Sequence, residues 1–254
     1  MDNKKYYEQF DWSSFQHDEV DFRVFRSFIP KNVQSIIDVG CGNGTITNRL
    51  GEEFNIVGVD RSVEALKLVK TEKILSSCDE IPVENESFDL VFSSELLEHL
   101  NDDIYYKTIS EFKRISKEYI LISTPFDESL NKGIVECPKC SYQYHMNSHF
   151  RAFNLDTYMQ DFCDYEIVDY KTFGVKVRGY SNLLYRLKQK LTLSKSIVPY
   201  YFTSKWMKKG YCPRCESHYD GKVSKNLLGL FFDLLNIVVS KKKDYWLIVL
   251  LKKK

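Results

Sequence analysis

Between Ser35 and Thr47 the chain reads SIIDVGCGNGTIT: a short run rich in β-branched residues, then glycines at three alternate positions, Gly40, Gly42 and Gly44, then a helical pattern. A strand that empties into a glycine turn opening a helix is compatible with few folds, because that turn lets backbone approach a ligand at the strand's carboxyl end. The rhythm continues. TITNRLGEEF, VEALKLVK, LLEHLNDD and IYYKTISEFKRIS read as helices, whereas NIVGVD, FDLVFSS and YILIST read as strands. Upstream, FRVFRSFI has helical spacing and stops at Pro30. Strands alternating with helices predict right-handed βαβ units, hence an α/β, doubly wound, Rossmann-like fold with a parallel sheet covered on both faces.

The 254 residues, 43% hydrophobic and 28% charged, suffice for one core with a small appended module. Lysines and arginines (36) nearly balance aspartates and glutamates (35), so total charge does not argue for nucleic acid. The N-terminal segment mixes Tyr6, Tyr7, Phe10, Trp12 and Phe15 with charges and lacks the apolar run of a signal peptide. No 18-residue apolar run suits a bilayer span. The expectation is a cytoplasmic chain, with peripheral membrane contact as an option.

In such a compartment, cysteines stay reduced or hold metal. Four of the seven fall in two similar pairs, CPKC (Cys137, Cys140) and CPRC (Cys212, Cys215), which predicts a structural zinc site of four thiolates. A compact alternative uses Cys137, Cys140, His145 and His149. Cys41 is a small residue in the glycine turn, and Cys78 and Cys163 are expected to be buried.

The glycine turn lacks the GK[ST] of a phosphate loop, and its third glycine comes too early for a dinucleotide fingerprint. Asp60 ends the next strand at the distance where an acidic side chain meets ribose hydroxyls. DVGCGNG resembles the first motif of class I S-adenosylmethionine-dependent methyltransferases, and SCDEIPVENESFDLVFSSELLEHL resembles the continuation of that motif set. The resemblance covers residues 33 to 125. It implies a seven-stranded sheet whose last strand is antiparallel, with YEIVDYKTF and YWLIVLL as the final pair and a zinc-binding insertion between the final strands. It also implies that Asp38, Gly40, Cys41 and Gly42 hold the methionine end of the cofactor. Asp60, with Arg61 beside it, takes the ribose; Asp79, between Cys78 and Glu80, takes the adenine; Ser93 lies beside the methionine moiety.

SSELLEHL then places Glu95, Glu98 and His99 in an apolar run. On a helix the three would leave one face within a turn. A glutamate in a first helical turn is also explained by the macrodipole alone. ExxEH at this point resembles the metal-binding motif of ubiquinone-type O-methyltransferases and of small-RNA 3'-terminal 2'-O-methyltransferases. The latter resemblance implies a further ligand in HFRAF, namely His149, with His145 in reserve. Two carboxylates and two imidazoles suit Mg, Mn, Fe or Zn. Without metal, His99 or Glu98 would serve as general base.

The expected organisation is a lid or helix over 1–32, a methyltransferase core over 33–178 plus 241–254, and insertions 127–154 and 179–240 forming a zinc-binding and acceptor-binding subdomain. The stretch from Asp127 to Asn154 reads as loop, and LDTYMQDF as helix. SNLLYRLKQKLTL puts leucines on one face and Arg186, Lys188 and Lys190 elsewhere, and KSIVPYYFTSKWMKKGY interleaves aromatics with Lys205, Lys208 and Lys209. Such stretches meet a membrane surface or an anionic substrate, or lie packed with a solvated basic face. KNLLGLFFDLLNIVV is apolar almost all round and calls for cover by protein, a partner subunit or lipid. The expected activity is methyl transfer to a hydroxyl of a small molecule or glycan, such as a cell-surface saccharide or its lipid-linked precursor. RNA 2'-O-methylation and a non-catalytic zinc-stapled binding module are the alternatives.

Overall fold

The computed structural model describes residues 8, 11–12, 19–192, 209–220 and 227–254. Tyr6, Tyr7, Phe10, Phe15, Lys205 and Lys208 lie outside the described residues. The chain divides into two units. One comprises the residues up to Phe126 with Phe153–Val175 and Tyr245–Lys254; the other comprises Asp127–Ala152 and Lys176–Asp244.

The first unit opens with helix α1 (Glu19–Phe28), which ends before Pro30 as the sequence predicts. Strands β1 (Ser35–Val39), β2 (Asn55–Asp60), β3 (Glu72–Leu75), β4 (Phe88–Ser94) and β5 (Ser116–Pro125) follow, with short helices α2 (Thr47–Leu50) and α3 (Val63–Leu66) and the long helix α4 (Asp102–Ile115) between them. Helix α4 is well specified: Asn101 accepts the Ile104 amide at 3.1 Å, Asp102 and Asp103 fill the first turn, and Lys113 and Arg114 the last. The predicted helices TITNRLGEEF and VEALKLVK each shorten to four residues. Gly51 ends the first, and the second gives way to a turn after Leu66.

In the seven-stranded sheet the order is β3-β2-β1-β4-β5-β11-β8, where β8 is Tyr165–Arg178 and β11 is Lys242–Lys253. Strands β1 to β5 pair in parallel, and β11 runs antiparallel to β5, Trp246 facing Pro125 and Lys252 facing Tyr119. Strand residues alternate between two cores. Ile37, Val91, Val249 and Leu251 join Tyr105, Phe112 and Tyr158 on one side, while Ile36, Leu90, Phe92, Ile248 and Leu250 join Phe25, Phe28 and Leu50 on the other. Burial on both faces is why these strands read as continuous apolar runs. The order reverses direction between β1 and β4, which puts the ligand-binding crevice at their carboxyl ends.

Among the described residues the second unit contains two β-hairpins and two helices. The stretch expected to be loop holds a 3-10 turn (Leu130–Gly133) and the hairpin of β6 (Ile134–Glu136) with β7 (Gln143–His145). Strands β9 (Lys209–Tyr211) and β10 (His218–Asp220) form the other hairpin. Helix α5 (Leu155–Asp161) belongs to the first unit, whereas α6 (Asn182–Thr192) and α7 (Leu227–Val239) belong to the second.

Candidate active site

The β1–α2 turn forms a cradle of left-handed glycines: φ is +80° at Gly40, +52° at Gly42 and +73° at Gly44. A side chain would be strained at each. A Cβ on Gly42 would also meet the Trp12 ring at 2.9 Å, and one on Gly40 would meet Leu96 at 3.0 Å. The turn is thus packed between an N-terminal aromatic and the loop after β4. Asn43 fixes the former contact by donating its side-chain amide to the Trp12 carbonyl at 2.8 Å.

Two carboxylates face this turn. Asp60 accepts the Gly42 amide at 2.9 Å and the Ser62 amide at 2.8 Å. Asp38, 3% exposed, accepts the Thr47 hydroxyl at 2.6 Å. Burial pushes the Asp38 carboxyl up to about 7; the Thr47 hydrogen bond opposes that rise and the neighbouring Asp60 carboxylate adds to it. Burial also raises Asp60, against the amides that hold it. Two acids so close in an apolar setting form a site suited to a cation. Cys41 packs its sulfur against Gly58, where a Cβ would sit 2.9 Å away.

The sequence-predicted neighbours line the next strand ends. Ser93 is buried and donates to the Val39 carbonyl at 2.8 Å, tying β4 to β1. Asp79 accepts the Ser77 hydroxyl, and the Cys78 sulfur accepts the Thr108 hydroxyl at 3.3 Å. Glu80 is exposed and Arg61 half-exposed. Arg114 pins the loop beyond them by donating to the Ile81 carbonyl at 2.9 Å and to the Val83 carbonyl at 2.6 Å. Cys163, expected to be buried, is exposed in the turn after α5.

SSELLEHL is not a helix. Serines 93 and 94 end β4, Glu95 adopts left-handed φ +55°, and Leu97–His99 make a single 3-10 turn. Glu95 therefore does not stack one helical turn beneath Glu98 and His99. It stands at the strand exit, where its amide donates to the Ser123 carbonyl at 3.0 Å. Glu98 has 0% exposure, and its carboxylate lies within 4.8 Å of a His99 ring nitrogen. Tyr158 adds a phenol that sequence reasoning missed. Its hydroxyl is 2.8 Å from that of Thr124, and its pKa is raised by burial and by the charges of Glu98, Tyr105 and Glu95.

His149 lies in the other unit, with Glu128, another residue that carried no sequence signal. Its Nδ1 meets a Glu128 carboxylate oxygen, which can only accept, so Nδ1 carries a proton. The ring stacks on His145 with centroids 4.9 Å apart, and the His149 amide donates to His145 Nδ1 at 3.2 Å. Burial holds His145 down near 4, against Glu128, so it is neutral and its Nδ1 is free of a proton to accept that amide. A carboxylate, a ring face and a backbone bond thus fix one imidazole.

The four paired cysteines converge. Cys137 and Cys215 sulfurs are 3.7 Å apart, and those of Cys140 and Cys212 are 3.6 Å apart. Thiolates about 2.3 Å from a tetrahedral zinc are about 3.8 Å from one another. Each pair sits at a hairpin tip with the same turn. Cys137 and Cys212 amides donate to Tyr142 and Ser217 carbonyls at 2.9 and 3.0 Å; their carbonyls accept from Ser141 and Glu216 amides at 2.9 and 2.8 Å. Ser141 and Glu216 share left-handed φ of +56° and +54°. Tyr144 and Tyr219, each seven residues past the first cysteine, hydrogen-bond to each other. The two hairpins are a structural repeat that the sequence reveals only as its cysteines.

Comparison with known proteins agrees with this geometry. A family model described as a methyltransferase domain matches residues 37–119. An uncharacterised protein of Methanocaldococcus jannaschii is 34% identical over 96 residues, 37% of this chain and 41% of that protein. The mitochondrial ubiquinone biosynthesis O-methyltransferase of Rattus norvegicus is 34% identical over 87 residues, 29% of this chain and 25% of that protein. The chain thus spans less than half the length of these curated relatives. A methyltransferase structure from Archaeoglobus fulgidus shares the fold with a TM-score of 0.55 at 18% identity, covering 92% of this chain and 94% of that one. The glycine cradle, its two acids and the seven-stranded sheet with an antiparallel strand give this chain the α/β fold seen in class I S-adenosylmethionine-dependent methyltransferases, with the methyltransferase-domain match confined to residues 37–119.

Proposed function

We propose that the chain is an S-adenosylmethionine-dependent methyltransferase acting on a hydroxyl of a small molecule or glycan, a cell-surface saccharide or its lipid-linked precursor being the class favoured. The observation that carries the cofactor assignment is the left-handed glycine turn facing buried Asp38 and half-buried Asp60, two acids suited to a cationic ligand. When bound, the cofactor supplies a methyl group on a cationic sulfur. Asp38, Gly40, Cys41 and Gly42 hold its methionine end, Asp60 its ribose with Arg61 alongside, and Asp79 with Cys78 and Glu80 its adenine; Ser93 backs the site. Glu98 or His99 takes the acceptor's proton, or these two with Glu95 and His149 hold a divalent Mg, Mn, Fe or Zn that lowers the hydroxyl pKa. A carboxylate as deeply buried as Glu98 suits a cation close by. The O-methyltransferase name of the rat relative supports an oxygen acceptor. Cys137, Cys140, Cys212 and Cys215 hold a structural zinc.

Calorimetry with S-adenosylmethionine tests this reading. The expected result is binding by the wild-type chain and at least about 100-fold weaker binding by Asp60→Ala, which loses two hydrogen bonds to a charged acceptor. Absence of binding by the wild type would sink the reading.

Asp38 adds a signed pH effect. Its carboxyl, near 7 in the free chain, is half protonated at neutral pH, and the cofactor's ammonium restores its charge. Binding at pH 7 is therefore expected to release about half a proton, measured in buffers of different ionisation enthalpy, and Asp38→Asn abolishes the release. Because the folded value lies above the ordinary 3.8, the free chain loses this contribution to stability as pH rises from 3.8 through about 7. Thermal melts of Asp38→Asn lack that decline.

A further inference from the structure

Helix α7 is built inside out. Its buried face carries Gly229, Phe232, Asp233 and Asn236, whereas Leu227, Phe231, Leu234 and Val238, spaced at helical intervals along one stripe, face outward. Leu227 and Val238 are 80% and 82% exposed. The sequence suggested a helix in need of cover all round; one face needs it. Helix α6 behaves alike, exposing Leu183, Leu187 and Leu191, with Leu183 at 68%. Its Lys188, expected on a solvated basic face, turns inward instead. It donates to Asp233 at 2.6 Å with both side chains 4% exposed.

The polar groups are consumed between the helices. Tyr180 donates to Asp233 at 2.9 Å, and Asn236 receives the Ser181 amide and donates to the Gly179 carbonyl, each at 2.9 Å. A helix pair solvated by water buries its leucines; this pair turns them outward and buries the Lys188–Asp233 ion pair, as helices do whose surroundings are apolar.

Charge identifies those surroundings. Between Asn182 and Lys243 there are thirteen lysines and arginines against three aspartates and glutamates, a net +10 in a chain whose total is +1. Arg186 and Lys190 flank the apolar stripe of α6, and Lys241 and Lys242 follow α7, all four exposed. Apolar stripes bordered by lysine and arginine match the acyl boundary and headgroups of an anionic bilayer leaflet. Nucleic acid offers charge without an apolar phase. At 13 residues α7 is about 20 Å long, too short to cross a hydrocarbon core of about 30 Å. Among the described residues no helix is long and apolar enough to cross a membrane.

We propose that the paired helices α6 and α7 form an interfacial membrane-binding face that docks the chain on anionic lipid. Flotation of the full chain with phosphatidylcholine vesicles, with and without phosphatidylglycerol, tests it. The expected result is binding to the anionic vesicles that falls as salt rises. Phe231→Glu with Val238→Glu weakens it at least tenfold. Lys241→Gln and Lys242→Gln, exposed changes that leave the helices intact, each weaken it about fivefold. Equal binding to neutral vesicles, or binding that survives the glutamates, overturns the proposal. So does a dimer dissociated by the glutamates in a chain that ignores vesicles, or capture of single-stranded RNA in place of vesicles. The inference stands apart from methyl transfer: S-adenosylmethionine affinity, read on the same variants, is expected to be unchanged.

Discussion

Cys212→Ser is expected to cost the chain one bound zinc and, with it, the order of both hairpins. Each hairpin has strands of three residues, far below what holds together in water unaided. Their shared apolar cluster is small: Cys137, Tyr144 and Cys212 at its centre, with Val135, Tyr142 and Tyr219 packed against them. Two of those central residues are themselves ligands of the proposed zinc. On that proposal folding of this element rests on the metal, and structural zinc sites of this kind contribute roughly 10–16 kcal/mol. Because the two knuckles repeat the same turn, Cys137→Ser should reproduce the result. Native mass spectrometry reads the zinc, and amide exchange at residues 134–145 and 209–220 reads the order. Full zinc retention in Cys212→Ser would transfer the site to Cys137, Cys140, His145 and His149, the compact alternative, and would leave the convergence of four sulfurs without a purpose.

How much of this was legible depends on the range of the forces involved. β1, β4 and β5 could be read because strands buried on both faces keep long apolar runs, and α4 because Asn101 and the charges at its two ends specify it locally. The antiparallel placement of β11 came from a family resemblance and not from its own pattern. SSELLEHL misled because its spacing suits a helix, whereas the chain leaving β4 takes a left-handed turn at Glu95 before Asn101 starts a new helix. Three-residue strands carry no periodicity, so the hairpins were visible only as cysteines. In α7, composition announced an apolar helix but not which way it faces; the buried Lys188–Asp233 pair, 45 residues apart, decides that. Glu128 had no signal at all, since its meaning lies in reaching His149 twenty-one residues on.

Glu98→Gln is expected to remove divalent-metal binding while leaving the cofactor cradle untouched. Glutamine keeps the shape of the side chain but not its charge, and charge is what a divalent ion takes from a buried carboxylate. Manganese alone is a suitable probe, since it needs no acceptor: the wild-type chain should bind one ion beyond its zinc, and Glu98→Gln or His99→Ala should weaken that by about 100-fold or more. Glu128→Gln is the finer test. Glu128 accepts the hydrogen bond from His149 Nδ1 and also lies 3.8 Å from His145 Nε2. Loss of such a support costs about 10–100-fold in metal affinity. If His149 is a ligand, as its resemblance implies, Glu128→Gln falls in that range and Glu128→Asp recovers part of it. A wild-type chain indifferent to manganese would instead leave Glu98 and His99 as a metal-free acid–base pair, because nothing else in the proposal requires the ion. In that case their signature moves to the pH dependence of turnover, and chelation leaves activity unchanged.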